Sequence, residues 1–298
     1  MRSPWKQVAP LALLTMTVFS PIAKADAAYI TGGNTIYKWD TASNTVTPVV
    51  NAVSSLDSLV FDASGNSLIY SVIGTNQIGM FNLTTLSNSI IANVGAGAAD
   101  MTLEPGGNTV LVSDAFTTTI SRVDLTTHAV TTFNVGTRPD GLAYDNAGHL
   151  FAVLGLNEVA ELDPTTMAVI KTISTPSAPD GLTFDSTTGM LYVGSDDGGF
   201  YTVDTNLTSA TFTNIGAVVD GVAANGNLLY LVVRGTDALQ YNLTTNAITE
   251  TSPGIGGADD IAPLSGLGSQ AVPEPGSFAA IGMLGFGLLA GLRRRFAR

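Results

Sequence analysis

The sequence predicts an all-β domain, a six-bladed β-propeller whose last blade is closed by pairing strands from the two ends. Three observations predict it: a repeat of about forty residues, a common order of strand and turn signals within each repeat, and one repeat divided between the ends. The composition agrees. Over 298 residues, 45% are hydrophobic and only 12% charged, which suits sheets surfaced with Thr, Ser and Asn rather than a disordered polyelectrolyte.

The repeat is clearest where Pro139-Asp140-Gly141-Leu142-Ala143-Tyr144-Asp145 recurs as Pro179-Asp180-Gly181-Leu182-Thr183-Phe184-Asp185. Leu56-Asp57-Ser58-Leu59-Val60-Phe61-Asp62 is a third copy, with weaker ones at Ala99-Asp100, Val219-Asp220 and Ala258-Asp259. The leading aspartates, Asp57, Asp100, Asp140, Asp180, Asp220 and Asp259, are spaced by 43, 40, 40, 40 and 39 residues. Asp260 is the alternative to Asp259 in the last register.

Each repeat continues with a β-rich second strand: Ser67–Val72, Thr109–Ser113, Leu150–Leu154, Leu191–Gly194 or Leu228–Val233. The third strand ends at an Asp or Asn before a Thr-rich turn, as in Asn82-Leu83-Thr84-Thr85, Asp124-Leu125-Thr126-Thr127, Asp163-Pro164-Thr165-Thr166 and Asn242-Leu243-Thr244-Thr245. Asx and Thr side chains hold such turns by bonding nearby backbone. A fourth strand follows, as at Ala168–Ile173. Four short strands per forty residues make a propeller blade. Five complete units begin at Asp57 through Asp220, whereas the sixth stops one strand after Asp259. Residues 28–50 supply its other three strands, Tyr29–Thr31, Thr35–Asp40 and Asn44–Val49, and pairing the ends removes two open sheet edges.

The termini read as addresses. Arg2 and Lys6, an apolar run from Val8 to Phe19, and small-residue sites at Ala23-Lys24-Ala25 or Ala25-Asp26-Ala27 make a secretory signal peptide. At the other end, Val272-Pro273-Glu274-Pro275 precedes seventeen uncharged residues, Gly276–Leu292, and then Arg293-Arg294-Arg295. Seventeen apolar residues are just enough for a transmembrane helix, and the basic cluster places the main domain outside the cytoplasm. Motif, span and basic end in this order resemble the PEP-CTERM sorting domain. That resemblance implies export and recognition by an exosortase, a membrane protease or transpeptidase, in bacteria that make exopolysaccharide. The expected plan is a signal peptide at 1–27, the propeller at 28–267, a linker with the Pro-Glu-Pro motif at 268–275, and a transmembrane segment with basic tail at 276–298.

Between residues 28 and 271, five basic side chains stand against 22 acidic ones, a formal net charge of −17. Such a surface repels nucleic acid and anionic lipid heads. Cations, neutral polymers such as exopolysaccharide, or a surface protein are its natural partners. With no Cys, a disulfide framework, a thiolate nucleophile and a Cys-based metal site are all excluded.

The first strand of a blade lies nearest the axis, so the leading aspartates should ring one mouth of the channel. Loops between second and third strands open on that face, adding Asn76, Asp114, Asn157, Glu158, Asp196, Asp197, Arg234 and Asp237, while Arg138 precedes a leading Asp. One reading of the ring is structural: a side chain repeated in every blade bonds backbone N–H groups at every blade junction. The other is a ligand or cation site, for which an oxygen-only donor set suits Ca²⁺, although no metal is assigned. His128 and His149 fall in turns of the opposite face, so no catalytic residue is assigned. Trp39 and Tyr201 are the aromatic candidates for stacking on sugar.

Pro139–Asp145 and Pro179–Asp185 also resemble blade openings of the YVTN, NHL and gluconolactonase-like (SMP-30) propellers. That group includes enzymes, scaffolds and binding proteins, so it implies the fold and leaves function open. The function expected is a non-catalytic binding or structural protein at the cell surface or in the exopolysaccharide matrix. The alternative is a metal-dependent lactonase of the SMP-30 type or a lyase like the streptogramin-degrading propellers. Resemblance to those enzymes implies a mixed Glu, Asn and Asp metal site near the axis for the lactonase, or a channel His for the lyase.

Overall fold

The structure, a computed structural model, describes residues 27–263. The expected signal peptide falls almost entirely outside these residues, and the Pro-Glu-Pro motif, the span at 276–292 and the basic tail fall wholly outside them. Among the described residues no helix is long and apolar enough to cross a membrane.

Among the described residues, twenty-four strands form six four-stranded antiparallel sheets, the blades of a propeller. The innermost strands of blades 1 to 6 are Leu59–Phe61, Ala98–Leu103, Pro139–Tyr144, Pro179–Asp185, Val219–Asn225 and Ala258–Pro263. Burial falls outward along each blade. The second strand of blade 1, Ser67–Val72, and that of blade 3, Leu150–Leu154, are buried at every position. Outermost strands such as Val130–Asn134 and Ala247–Thr251 are mostly exposed. The second strands read as continuous apolar runs because both of their faces are covered by neighbouring blades.

The sixth blade closes as the divided repeat requires. Ala258–Pro263 pairs with Ala27–Gly32, which pairs with Thr35–Asp40 and then Thr45–Asn51. Ala28, Ile30, Trp39 and Ile261 lie buried in one cluster with Tyr230 of blade 5, and the Trp39 and Tyr230 rings meet edge to face at 6.4 Å. Trp39 Nε1 donates to Asn44 Oδ1 at 2.9 Å. Chain closure is therefore cemented by apolar burial as well as by strand pairing.

The Asx-Thr turns form as read. Asn82, Asp124, Asp163 and Asn242 each accept, through Oδ1, the backbone N–H groups two and three residues on. The next residue after each turn, including His128 at φ 61°, adopts the left-handed conformation. These turns share one face with the Asp145–His149 turn, where His149 Nδ1 lies 2.7 Å from Asp145 Oδ2. Ala258–Pro263 runs from the channel mouth toward that same face, so both ends of the described chain lie opposite the mouth.

Candidate functional site

The channel mouth opens into a cavity of about 420 Å³. Its wall contains Asp57, Asp140, Asp180, Asp220 and Asp259, as the ring predicted, together with Asp100 and Asp260. The local cause is a β-bulge. In blade 3, Pro139 pairs with Leu154 but Leu142 pairs with Ala152, so Asp140 and Gly141 together stand against Val153 alone, one extra residue on the inner strand. The same shift recurs in blades 2, 4, 5 and 6. A bulge bends its strand and re-aims the side chains it carries, which turns the leading aspartate toward the axis.

The bulge corrects the register of one ring member. Ala98 pairs with Asp114 and Met101 with Val112, which makes Ala99 the counterpart of Asp140 and puts Asp100 in the slot held by Gly141. Asp260 occupies that slot in blade 6, and Asp259 is the true leading aspartate there. Two concentric sets result: the leading positions Asp57, Ala99, Asp140, Asp180, Asp220 and Asp259, and the following positions Ser58, Asp100, Gly141, Gly181, Gly221 and Asp260.

The structural role foreseen for the ring belongs to the following set. Asp100 Oδ2 accepts the Leu142 N–H of the next blade at 2.8 Å, and Asp260 Oδ2 accepts that of Leu59 at 3.0 Å. Ser58 Oγ accepts the Met101 N–H at 3.2 Å. Ser58 Oγ also lies 2.9 Å from Asp100 and 2.7 Å from Asp260. One hydroxyl proton serves only one of these carboxyls, so the second contact bonds only when that carboxyl carries a proton. Burial, reinforced by neighbouring carboxylates, holds Asp260 at about 6 and Asp100 well above its ordinary value.

The leading set is arranged differently. Arg234 binds Asp220 through Nε at 2.8 Å and through its terminal nitrogen, and reaches Asp180 of the preceding blade and Asp196, each at 2.5 Å. Arg138 bonds Asp140 at 2.5 Å. The side-chain carboxylates of Asp57 and Asp259 accept no hydrogen bond from any described residue. Asp57 is raised well above its ordinary value by burial first and then by Asp259, and Asp259 is raised to about 8 by burial first and then by Asp220. Asp140, pushed up by burial and pulled back by Arg138, sits at about 6, while burial and Asp140 raise Asp180.

Three sequence expectations are relocated. Asp114 is no surface loop residue: it ends the second strand of blade 2, is wholly buried, and accepts Thr119 Oγ1 at 2.6 Å and Ser121 Oγ at 3.1 Å. Its Oδ1 has no partner, and burial raises its carboxyl. Trp39 and Tyr201 are 0% and 2% exposed, so neither ring can stack on a ligand. Glu158, Asp196, Asp197 and Asp237 stay on the mouth face, but only Asp196 joins the site, through Arg234. Asn76 has a structural task, its Oδ1 accepting the Gly97 N–H of the next blade at 2.8 Å. Sequence reasoning missed Ile73, Ala115 and Phe116, which line the cavity on the blade 1 and 2 side, with Phe116 73% exposed. Only its place in a loop between second and third strands could have pointed to Phe116. Among the described residues, no three acidic or imidazole side chains converge to hold a metal ion.

Comparison with known proteins supplies the address. Residues 271–295 match the family model of the PEP-CTERM protein-sorting motif. The tail is a PEP-CTERM sorting motif. It marks an exported surface protein and implies recognition by an exosortase. No curated protein matches the chain. Among solved structures, the crystal structure of a nidogen/laminin complex contains a chain similar in fold, with a TM-score of 0.72 and 15% identity over 79% of this chain and 97% of that one. Hydrazine synthase of Kuenenia stuttgartiensis is similar with a TM-score of 0.58 and 12% identity over 80% and 89%. At these identities the likeness shows the fold alone.

Proposed function

We propose that this PEP-CTERM protein is a tethered, non-catalytic binding protein that presents its channel mouth away from the membrane. The observation that carries the reading is directional. The described chain ends at Pro263 on the face opposite the mouth, and the sorting motif follows from there. An anchor at residues 276–292 would hold the turn face toward the membrane and leave the cavity open to the surroundings, whether its partner is exopolysaccharide or a surface protein. Propellers do engage other proteins; the similar chain noted above comes from a nidogen/laminin complex. The domain plan proposed is the one read from sequence, with the propeller at 28–267 and the span with its basic tail at 276–298.

The test is surface labelling of cells expressing the full chain with a cysteine introduced at Phe116 on the mouth or at Thr126 on the turn face. A membrane-impermeant maleimide should label Phe116→Cys at least several-fold faster than Thr126→Cys, and deletion of residues 271–298 should abolish retention by cells. Equal labelling, or retention without the tail, would overturn the tethered orientation.

A further inference from the structure

The mouth is charge-balanced on one side only. Arg138 and Arg234 answer the aspartates of blades 3, 4 and 5. Across the channel, Asp57 and Asp259 face the same cavity without a bonded cation. Asp57 is partly buried in the cavity wall, and its carboxylate accepts no hydrogen bond from the described residues. A carboxylate partly withdrawn from water, set near the Asp259 carboxylate and left unpaired, is costly, and the cost is removed by protonation or by a cation delivered from outside.

What kind of cation fits follows from the surroundings. A small metal ion needs several oxygens at about 2.3–2.6 Å, and among the described residues no such convergence exists. Phe116 and Ile73 instead add an aromatic ring and an aliphatic chain to the same cavity wall. A wall that joins acidic and apolar side chains matches a charged head on an aliphatic stem, the form of a lysine or arginine side chain or of an aminated sugar. The cavity of about 420 Å³ accommodates a group of that size.

We propose that Asp57 and Asp259, in the cavity wall that Phe116 shares, bind an organic cation, an ammonium or guanidinium group carried by the partner. This deepens the binding-protein reading and rests on it. Arg234, seated among Asp180, Asp196 and Asp220, is the internal precedent for how Asp57 and Asp259 would hold their guest.

The test titrates the full-length chain in non-ionic detergent with agmatine and n-butylamine, with n-butanol as the neutral control, read by calorimetry and thermal shift. Both amines should bind saturably and butanol should not. Asp57→Asn/Asp259→Asn should weaken amine binding at least tenfold, and Phe116→Ala should weaken butylamine by a few-fold. Removing two like charges relieves repulsion, so the double variant is expected to stay folded; the single Asp57→Asn, checked by circular dichroism, gives the same reading if it does not. A glucosamine oligomer against its N-acetylated form, and a lysine peptide against its acetylated form, separate sugar from protein as the source. Unchanged amine binding in the Asn variants, equal binding of butanol, or Ca²⁺ stabilisation that depends on Asp57 would overturn the proposal. Failure of every amine would refute this site while leaving the labelling result, and with it the tethered orientation, intact.

Discussion

Blades 3 to 5 and blades 6, 1 and 2 solve the same crowding problem at the axis in opposite ways. In the first half, glycine follows the leading aspartate and the next blade moves into the vacated space. A Cβ on Gly181 would stand 2.6 Å from the Asp220 carbonyl oxygen, one on Gly221 would stand 2.6 Å from Asp260 Cα, and one on Gly141 would meet the Asp180 carbonyl oxygen. In the second half, Asp260, Ser58 and Asp100 fill that space with polar atoms that accept the next blade's N–H. The glycine half also holds both arginines of the mouth, Arg138 and Arg234. Close backbone packing and ion pairing thus go together on one side, while hydrogen-bonded wedges and unpaired leading acids go together on the other. One fold position serves either purpose because the bulge leaves it facing a neighbour across a gap of one side chain.

The comparison can be broken most forcefully at the glycines. Gly181→Ala should cost about 3 kcal/mol, since the methyl has only main chain to push against. Ser58→Ala, at the equivalent position of the other half, should cost about 1 kcal/mol, the loss of one hydrogen-bonded network member. Denaturant midpoints at unchanged slope would measure both, and similar costs would erase the distinction between the halves.

Next in size is the arginine side. Arg234→Met strands Asp180 and Asp220, and because the Arg234 side chain is 45% exposed the penalty is set at about 1–2 kcal/mol rather than that of a fully buried pair. The penalty should shrink at high ionic strength, because an ion pair this exposed is screened by salt. A salt-independent cost would show that Arg234 acts by packing instead.

The smallest effect concerns protons on the unpaired side. Folded-state values raised above the ordinary range mean that the folded protein holds protons the unfolded chain has released. Stability from this source is full below about pH 4 and is lost as the pH rises through about 6 for Asp260 and about 8 for Asp259. Thermal midpoints should therefore fall between pH 5 and 9, and Asp259→Asn should flatten the upper part of that decline. A midpoint that rises over this range would contradict the arrangement.

Much of this molecule was legible because propeller architecture repeats. The forty-residue spacing, the Asx-Thr turns and the divided sixth repeat each report a local or periodic constraint, and each appears in the structure at the residues named. Asp100 was misplaced by one position because the bulge shifts register between Ala98 and Met101, and a one-residue slip sends a side chain to a different neighbour. Asp114 reads as a polar loop residue until the strand is seen to extend through it into a buried position between Thr119 and Ser121. Trp39 reads as a sugar platform until Tyr230 of the adjacent blade covers it.

The sequence by itself determined the number of blades, the way the ring closes and the sorting address, since these depend on period, order and contiguous motif. Only the tertiary structure decided which aspartates meet arginine, which brace the blade junctions and which are left unpaired in the cavity wall. Those outcomes depend on side chains of one blade and of its neighbours converging on one axis, and on bulges that redirect them there.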